Sequence, residues 1–362
     1  MPGSITVEEL PIPDSLAAVD GDDFLAIVDI CNAVAREYMG EKTDPTTIDE
    51  FYAGLVDQTY ERNRAFIVRH AGRPIAHAFI FWSTEPDTRV SWLDVNVDPG
   101  HRNQGAGSAL LDRLEQIARE AGRPVAQVGG KHRTDLPGPT LASPTGFGAL
   151  PREDPVVRFL RNRGYALEQV YRVSHLHLPI ADEDLAARMA EVWQPAGAGY
   201  RIETWIGSTP DRWLDDVAVV MNRMSTDAPA GNLEIEEEPW DADRVRKRDE
   251  LRAASGRTTL VAAVEHLPSG RLVAYSDLSV SDDGTRPAHQ GDTLVLKEHR
   301  GHRLGTIVKL ANIQQVQSFR PRMPYIATDN AEENRPMLDV NEAIGFTPVA
   351  YIGAWKKMLQ QG

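Results

Sequence analysis

The stretch HRNQGAGSAL at residues 101–110 places four small residues, Gly105 to Ser108, shortly after a basic residue, Arg102. It follows a turn at Pro99-Gly100 and opens a segment with the apolar spacing of an amphipathic helix. The first amides of a helix have no intrahelical partner, and the helix dipole places partial positive charge there. Small side chains would let a phosphate approach those amides, which predicts a pyrophosphate-binding loop. The alternative is that the glycines only permit close helix packing.

Two common phosphate-binding motifs fit this loop poorly. A dinucleotide fingerprint needs a third glycine where Leu110 stands, and it opens a βαβ unit, whereas about 100 residues precede this loop. A P-loop needs Gly-Lys-Ser or Gly-Lys-Thr, and neither follows. NAD binding is therefore a poor fit, and a P-loop is excluded.

The chain repeats itself at an offset of 198 residues. GRPIA at 72–76 returns as GRLVA at 270–274, and Arg102 has its counterpart in Arg300 of HRGHRLG. Around both matches, two strands joined by a Gly-Arg turn are followed by a third strand, a basic turn and a helix. Each copy is therefore predicted to be a β-meander that leads into a helix.

The two copies also end alike, but at a shorter offset. Gly164-Tyr165 and Gly345-Phe346 correspond at an offset of 181, so the first copy holds about 17 extra residues, which we place in a long surface loop at 129–151. A chain of 362 residues favours two domains, because domains mostly hold about 100 to 200 residues. We predict domains at 1–182 and 199–362, joined by a linker at 183–198.

Composition argues against several classes of protein. The formal net charge of −14 disfavours nucleic acid as the main partner, because polyanions bind to basic surfaces. No apolar run reaches the roughly 20 residues that cross a bilayer, and the first residues lack a signal-peptide pattern. We therefore expect a cytoplasmic protein without a membrane partner. Cys31 is the only cysteine and the ten histidines lack metal-binding spacing, so neither a disulfide nor a metal site is expected.

Two sequence patterns carry a family resemblance. Val97-x-Pro99-x-x-Arg102-x-x-Gly105-x-Gly107 resembles the acetyl-CoA-binding motif of the GNAT acetyltransferases. In the second copy, Asn334, Asn341 and the sequence IGF at 344–346 resemble the closing strand, helix and strand of that family. The resemblance implies an α/β (α+β) fold of two tandem GNAT domains, each a mixed, mostly antiparallel twisted sheet flanked by helices.

The resemblance also implies where acetyl-CoA binds in each copy. In the first copy the residues implied are Val95, Asn96 and Val97 for the pantetheine, and Arg102, Asn103, Gln104, Gly105, Ala106, Gly107 and Ser108 for the pyrophosphate. In the second copy they are Thr293, Leu294 and Val295, then Arg300, Gly301, His302, Arg303, Leu304, Gly305 and Thr306, together with Asn334. Arg303 stands where the first glycine of the motif belongs, and it could block the loop or pair with a phosphate.

The family reaction is the direct attack of a neutral amine on the thioester carbonyl within a ternary complex. The resemblance favours the second copy as the catalytic one, because Asn334 and Tyr325 lie where the family has functional side chains. The first copy has Glu153 and Leu160 at the places of Asn334 and Asn341.

The sequence offers candidates for the acid and for the base. Asn341 stands where the family has its acid tyrosine, so Tyr325 is the expected substitute; its alternative role is that of a packed strand aromatic. Asp292, or Asp94 in the first copy, is the expected general base, and either could be an ordinary strand-end carboxylate. A backbone amide within 294–296 is the expected oxyanion donor.

We predict an acetyl-CoA-dependent N-acetyltransferase that acts on the primary amine of a small molecule, as a monomer or a homodimer. Four carboxylates in NLEIEEEPW, at Glu234, Glu236, Glu237 and Glu238, are candidates for binding a cationic acceptor, although a solvated acidic loop also explains them. Two other functions stay open: a catalytically silent acyl-CoA sensor or scaffold, and a protein-lysine acetyltransferase.

Overall fold

The computed structural model describes residues 5–15, 21–40, 43–133 and 136–360. The first run of elements is β1 (Val7–Leu10), α1 (Gly21–Met39), α2 (Ile48–Val56), β2 (Glu61–His70), β3 (Arg73–Ser83), β4 (Val90–Val97), α3 (Ala106–Glu120), β5 (Val125–His132), β6 (Thr140–Ala142), β7 (Ala149–Pro151), α4 (Pro155–Asn162) and β8 (Ala166–His177). A short 3-10 turn at Pro99–His101 separates β4 from α3.

The second run follows a joining helix, α5 (Asp182–Trp193). It consists of β9 (Tyr200–Ile206), α6 (Leu214–Asp227), α7 (Ala242–Ala254), β10 (Arg257–His266), β11 (Arg271–Ser281), β12 (Ala288–Val295), α8 (Leu304–Phe319), β13 (Tyr325–Ala331), α9 (Arg335–Ile344) and β14 (Thr347–Met358). We call the residues before α5 the first half and those after it the second half.

The predicted repeat is confirmed at the level of elements. β3 and β11, β4 and β12, and α3 and α8 begin 198 residues apart, as do the 3-10 turns at Pro99–His101 and Lys297–His299. β8 and β14 begin 181 residues apart. The surplus of the first half lies between β5 and α4, where β6 and β7 form a small hairpin. The prediction of a loop over 129–151 is therefore wrong at its start, because Gly129 to His132 belong to β5.

All the long strands join one twelve-stranded sheet. Its order is β1-β2-β3-β4-β5-β14-β8-β13-β12-β11-β10-β9. Within the described residues, the neighbours β4 and β5 and the neighbours β12 and β13 are parallel, and the other pairs are antiparallel. This confirms the predicted mixed, mostly antiparallel sheet.

The two halves exchange their last strands. β14 of the second half pairs with β5 of the first, with Tyr351 opposite His132. β8 of the first half pairs with β13 of the second, with His177 opposite Tyr325. The sheet thus runs unbroken through both halves. Where the chain divides into domains, at 1–182, 183–198 and 199–362, stays a prediction.

Helices cover both faces of the sheet. One face packs against α3 and α4 in the first half and against α5 and α8 in the second, and Trp355 of β14 is fully buried in the first-half cluster. The opposite face packs against α1 and α2 and against α6 and α7. We call these the α3/α8 face and the α1/α6 face. The exchanged strands therefore supply core residues to the half that does not encode them.

The connections between helices also cross from half to half. Asp44, between α1 and α2, contacts Arg257, Arg286 and His289 of the second half. In the reverse direction, Glu236 of the α6–α7 connection accepts hydrogen bonds from the amides at the start of β4. The backbone of Glu234 exchanges hydrogen bonds with the Gln127 side chain of β5. Two of the four predicted acceptor-binding glutamates therefore join the halves together.

Candidate active site

A pair of parallel strands parts in each half. In the first half, β4 and β5 pair from Val90 opposite Val125 to Leu93 opposite Val128 and then separate. Asp94 is the next residue of β4, and its carboxylate accepts a hydrogen bond from Asn96 at 2.9 Å. In the second half, β12 and β13 pair only at Ala288 and His289. The residues that follow, which include Asp292, therefore line an open gap.

A β-bulge distinguishes the second gap from the first. Thr293 pairs with Ser276 and Gln290 pairs with Leu278, which leaves Gly291 and Asp292 opposite Asp277 alone. The equivalent strands β3 and β4 of the first half pair without a shift of register. Bulges bend a strand and re-aim its side chains, and they are frequent beside active sites. The bulge therefore lies at Gly291 and Asp292, at the edge of the gap.

Asp292 lies among charged side chains. Burial raises its pKa to about 6, and the neighbouring Asp277 carboxylate raises it as well. The guanidinium groups of Arg252 and Arg248 on α7 act in the opposite direction. Asp277 is only 1% exposed, and its Oδ2 accepts a hydrogen bond from Arg252 at 2.6 Å. A carboxyl group with a pKa near 6 can exchange a proton close to neutral pH.

Asp94 occupies the corresponding place in the first half. Asp94 is exposed at the surface, and desolvation by the surrounding protein raises the pKa of its carboxyl group; Lys131 across the gap opposes that shift. Cys31 of α1 is close enough to be affected by Asp94, and burial raises the pKa of the thiol to about 12. This cysteine is therefore protonated and unreactive at neutral pH.

The loop before α3 has two residues in the left-handed region, Asn103 with φ 60° and Gly105 with φ 92°. The first helical bond runs from Ala109 N to Gly105 O, so the amides of residues 106–108 have no helical partner. Side chains of the same half crowd this loop. A Cβ on Gly105 would lie 2.9 Å from Ile5 Cδ1, and Arg102 is bound to Glu37 of α1 at 2.7 Å.

The loop before α8 has the same backbone with different residues. Gly301 and Arg303 are left-handed, with φ 87° and φ 56°. Arg303 is exposed, and it keeps this conformation without being glycine, which costs on the order of 1 kcal/mol or more. A Cβ on Gly305 would meet only Val295, at 3.6 Å, and one on Gly301 would meet nothing within 4 Å. Arg303 is the counterpart of Gly105 and Gly305 that of Gly107, so the second loop has open space at Gly301 and Gly305 and a side chain at 303.

The α4 side of the first gap is also narrower. A Cβ on Gly107 would lie 3.3 Å from Val97 and 3.8 Å from the ring of Phe159 of α4. The residue of α9 at the place of Phe159 is the smaller Val340, which packs into the second-half core. The space between the helix start and the closing helix is thus wider in the second half.

Comparison with known proteins gives a family for part of the chain and a fold for the whole of it. Residues 27–128 match the model described as the acetyltransferase (GNAT) family. The chain is similar to the structure of a tandem GNAT protein from the clavulanic acid biosynthesis pathway, solved without AcCoA, with a TM-score of 0.73, 23% sequence identity, and 97% of this chain and 98% of that chain covered. No curated protein sequence matches the chain.

Residues 27–128 are a GNAT domain, and the whole chain has the tandem GNAT fold. A GCN5-related N-acetyltransferase from Sphaerobacter thermophilus is also similar, with a TM-score of 0.60, 15% identity, and 99% of this chain and 96% of that chain covered. The family match over residues 27–128 supports acetyl transfer in general. Within the described residues, no helix could cross a membrane and no three His, Cys, Asp or Glu side chains are arranged to hold a metal ion.

The remaining predicted cofactor residues belong to the strand ends beside the two gaps and to the two loops, and three of them, Ala106, Leu294 and Leu304, are buried in hydrophobic clusters. Val95 and Val97 pack toward α3, while Thr293 binds Ser276 through its hydroxyl at 3.0 Å. Gln104 is exposed and Ala106 is buried. Arg300 does not extend into the loop, because it donates to Val295 O at 3.1 Å and to the carboxylate of Asp227.

The closing helix of the second GNAT copy holds both predicted asparagines. Asn334 caps α9, accepting a hydrogen bond from Met337 N at 3.4 Å. Asn341 is 2% exposed, and its Nδ2 donates to Asn330 of β13 at 2.6 Å. Asn341 therefore lies at the open end of the gap, where β13 and α9 meet.

The first copy needs a correction at this helix. The cap of α4 is Asp154, which accepts a hydrogen bond from Val156 N at 2.8 Å and lies 3.1 Å from His132 Nδ1. Glu153 stands at the place of Asn334 in the sequence, but it is Asp154 that caps α4 as Asn334 caps α9. Leu160, at the place of Asn341, is buried in the core as an apolar residue.

The structure does not bring Tyr325 to this site. Tyr325 precedes Ile326, the residue that pairs with Ala288 at the closed end of the gap. Its ring stacks on His175, with centroids 4.1 Å apart. At about 3.3 Å per residue, Asn330 at the open end is roughly 16 Å further along the strand. The alternative role of Tyr325, as a packed strand aromatic, agrees with this position.

Three charged residues near Asp292 are not predicted from the sequence. These are Asp277 on β11 and the pair Arg248 and Arg252 on α7. The signal for Asp277 is a carboxylate inside the apolar strand LVAYSDLSV, where the first copy has Phe79. The arginines are four residues apart, which places them on one helix face.

Proposed function

We propose that the second half is the catalytic centre of an acetyl-CoA-dependent N-acetyltransferase that acetylates a primary amine of a small molecule, with Asp292 as general base. One observation carries this proposal. Asp292 stands on a bulge at the edge of the gap, with a pKa raised to about 6, in the half whose loop is open. Perturbed carboxyl groups in such recesses are typical of catalytic sites.

The second loop fits the pyrophosphate of acetyl-CoA. The first helical bond of α8 runs from Ile307 N to Arg303 O, so the amides of residues 304–306 have no helical partner. Gly305 leaves space above those amides. The exposed guanidinium of Arg303 adds positive charge beside them, so Arg303 favours binding by pairing with a phosphate. Acetyl-CoA supplies the activated acetyl group as a substrate of the reaction.

The oxyanion donor can be narrowed to one amide. Leu296 N donates to Val273 O at 2.9 Å and is therefore engaged. Amides of adjacent residues in a strand point to opposite sides, so the amide of Val295 points away from β11 and into the gap. We assign polarisation of the thioester carbonyl to Val295 N, within the predicted range 294–296.

No strong acid is required at Asn341. A thiol has a pKa near about 8.5, so the thiolate of CoA leaves without full protonation. Asn341 holds Asn330 across the open end of the gap and thereby fixes the position of α9 against β13. The proton that matters is the one that Asp292 removes from the acceptor's ammonium group, because only the neutral amine attacks the carbonyl.

The test is an assay of the purified chain with acetyl-CoA and a panel of small primary amines, in which CoA thiol release and acetylated products are both measured. The proposal predicts stoichiometric thiol release and N-acetylation of at least one amine. Binding of CoA without turnover on any amine would favour the acyl-CoA sensor. Acetylation confined to lysine side chains of a protein would favour the protein acetyltransferase.

A further inference from the structure

Asp277 differs from an ordinary buried ion-pair carboxylate in its relation to the bulge of β12. A Cβ on Gly291 would lie 2.6 Å from Oδ2 and 2.8 Å from Oδ1 of Asp277. These distances are far below a normal contact, so glycine at 291 is what allows the carboxylate to lie directly against the bulged backbone. The next residue along that backbone is Asp292.

One oxygen of Asp277 lacks a hydrogen-bond donor. Oδ2 accepts from Arg252, while Oδ1 is buried and has no partner among the residues that the structure describes. The hydroxyl of Tyr275, two residues earlier on β11, is likewise buried without a described partner. An incompletely solvated buried carboxylate exerts a strong field on its neighbours, because the local dielectric is low. Asp292 is the neighbouring acid that feels this charge.

The groups around Asp292 come from four elements. β11 contributes Asp277, and α7 contributes Arg248 and Arg252; the α6–α7 connection contributes Glu238. Arg248 is bound to Asp249 at 3.0 Å, so part of its charge is already compensated. On α8, Lys309 interacts electrostatically with Asp277. Asp277 and Arg252 are therefore an oppositely charged pair that acts on Asp292 with opposite signs.

The first half lacks this arrangement. Its counterparts of Asp277 and Gly291 are Phe79 and Leu93, and β3 and β4 pair without a bulge. Asp94 matches Asp292 in residue type and in position in the repeat, but its partner on β3 is Phe79 and not a carboxylate. The pair of residues Asp277 and Gly291 is thus what the second half has in addition to the shared aspartate.

We propose that Asp277 is a positioning residue for acetyl transfer: through the bulge at Gly291 and its bond to Arg252, it holds Asp292 in place and keeps it able to take the proton of a cationic amine. This rests on the proposed function of the second half. The acceptor enters as R–NH3⁺ and gives one proton to Asp292. The N–C bond then forms as the C–S bond breaks, the second proton goes to the CoA thiolate, and Asp292 releases its proton to solvent.

The test compares the pH dependence of kcat/KM in Asp277→Asn and Arg252→Gln. Removing the negative charge of Asp277 is expected to move the acidic limb down by roughly one pH unit. Removing the positive charge of Arg252 is expected to move it up by a similar amount. If Asp277 and Arg252 only support the fold, the two variants will lower the rate but will not move the acidic limb of the pH profile in opposite directions. The matched control is Asp243→Asn, an exposed carboxylate on the same helix α7 that pairs with Arg246, and it leaves the acidic limb where it is.

A second readout does not depend on turnover. The carboxyl carbon of Asp292, assigned by its absence in Asp292→Asn, is titrated by ¹³C NMR in the full chain labelled at aspartate. Shifts of the Asp292 pKa in opposite directions in the two variants support the proposal even if no amine is acetylated. In that case the proposed function is wrong, and the inference about Asp277 still stands. An unchanged pKa of Asp292 in folded Asp277→Asn would overturn the proposal. If that variant does not fold, a pKa of Asp292 that is unchanged or lowered in Arg252→Gln overturns it.

Discussion

Asp94 and Asp292 stand 198 residues apart in the chain and at the same place in the fold, each at the point where two parallel strands separate. Their surroundings differ. Asp94 lies within a regular strand near Lys131, whereas Asp292 lies on a bulge beside a buried carboxylate and two arginines. The fold thus holds two copies of one aspartate, and the neighbours decide which is suited to act as a base.

The openness of the second loop predicts where CoA binds. In Gly305→Val the branched side chain fills the space beside Val295, so we expect the affinity for CoA to fall at least about tenfold, because a phosphate needs close access to the amides. Gly107→Val is the matched control in the first half, where Val97 and Phe159 already occupy that space. Isothermal titration of both variants checks this. Loss of binding in Gly107→Val alone would place the cofactor in the first half.

The buried Lys309 predicts a stabilising substitution. Lys309 is 2% exposed, its ammonium has no ion pair within the described residues, and burial lowers its pKa to about 7. The unfolded chain keeps a pKa near about 10.4, so stability is lost as pH falls from that value to 7. Lys309→Met is therefore expected to stabilise the protein by about 4 kcal/mol at pH 6.5 and by less than about 1 kcal/mol at pH 10.

Denaturant titrations at the two pH values measure this difference. Leu310→Met, at the next position of α8, is the control for a change of packing alone. Destabilisation by Lys309→Met at both pH values would show that the ammonium group contributes to the folded state.

The ion pairs between the halves predict a pH-dependent stability. Although burial raises the pKa of Asp44, its contacts with His289 and Arg286 lower it below the usual value. The stabilisation is then present above pH 4 and is lost as pH falls through the folded-state value. Asp44→Asn is expected to cost about 2 kcal/mol at pH 7, because Arg257 and Arg286 lose part of their compensation. Asp339→Asn, which breaks an exposed pair with Arg335, should cost less than about 0.5 kcal/mol in the same thermal unfolding series.

Much of the fold follows from the sequence, for identifiable reasons. The offset of 198 predicted the meanders and helices, because strand and helix periodicities are local. The strand exchange could not be predicted, since β8 and β14 have similar patterns and either could lie beside β5. The repeat predicts Asp292 together with Asp94, and the role of Asp292 as general base stays a prediction. Asp277 is not predicted, because its proposed role depends on a bulge that forms only when β11 and β12 pair. Tyr325 was expected at the site because it lies on the strand beside the gap. The sequence does not tell which end of that strand is open, and Tyr325 lies at the closed end.

The strand exchange predicts that the two halves unfold together. Trp355 is encoded by the second half and fully buried in the first-half core. Trp355→Ala is expected to cost about 3 to 5 kcal/mol and to lower a single unfolding transition. Calorimetry with the enthalpy ratio test checks the number of transitions. Two separate transitions, with only one shifted, would mean that the halves are independent units.

The most direct test of the catalytic assignment is the rate of amine acetylation by Asp292→Asn and Asp94→Asn, measured side by side at saturating acetyl-CoA and pH 7.5. We predict that Asp292→Asn lowers kcat by about 100-fold or more, as expected for loss of a general base, while Asp94→Asn retains most of the wild-type rate. Retained activity in Asp292→Asn, with the loss in Asp94→Asn, would contradict the account and move the chemistry to the first half.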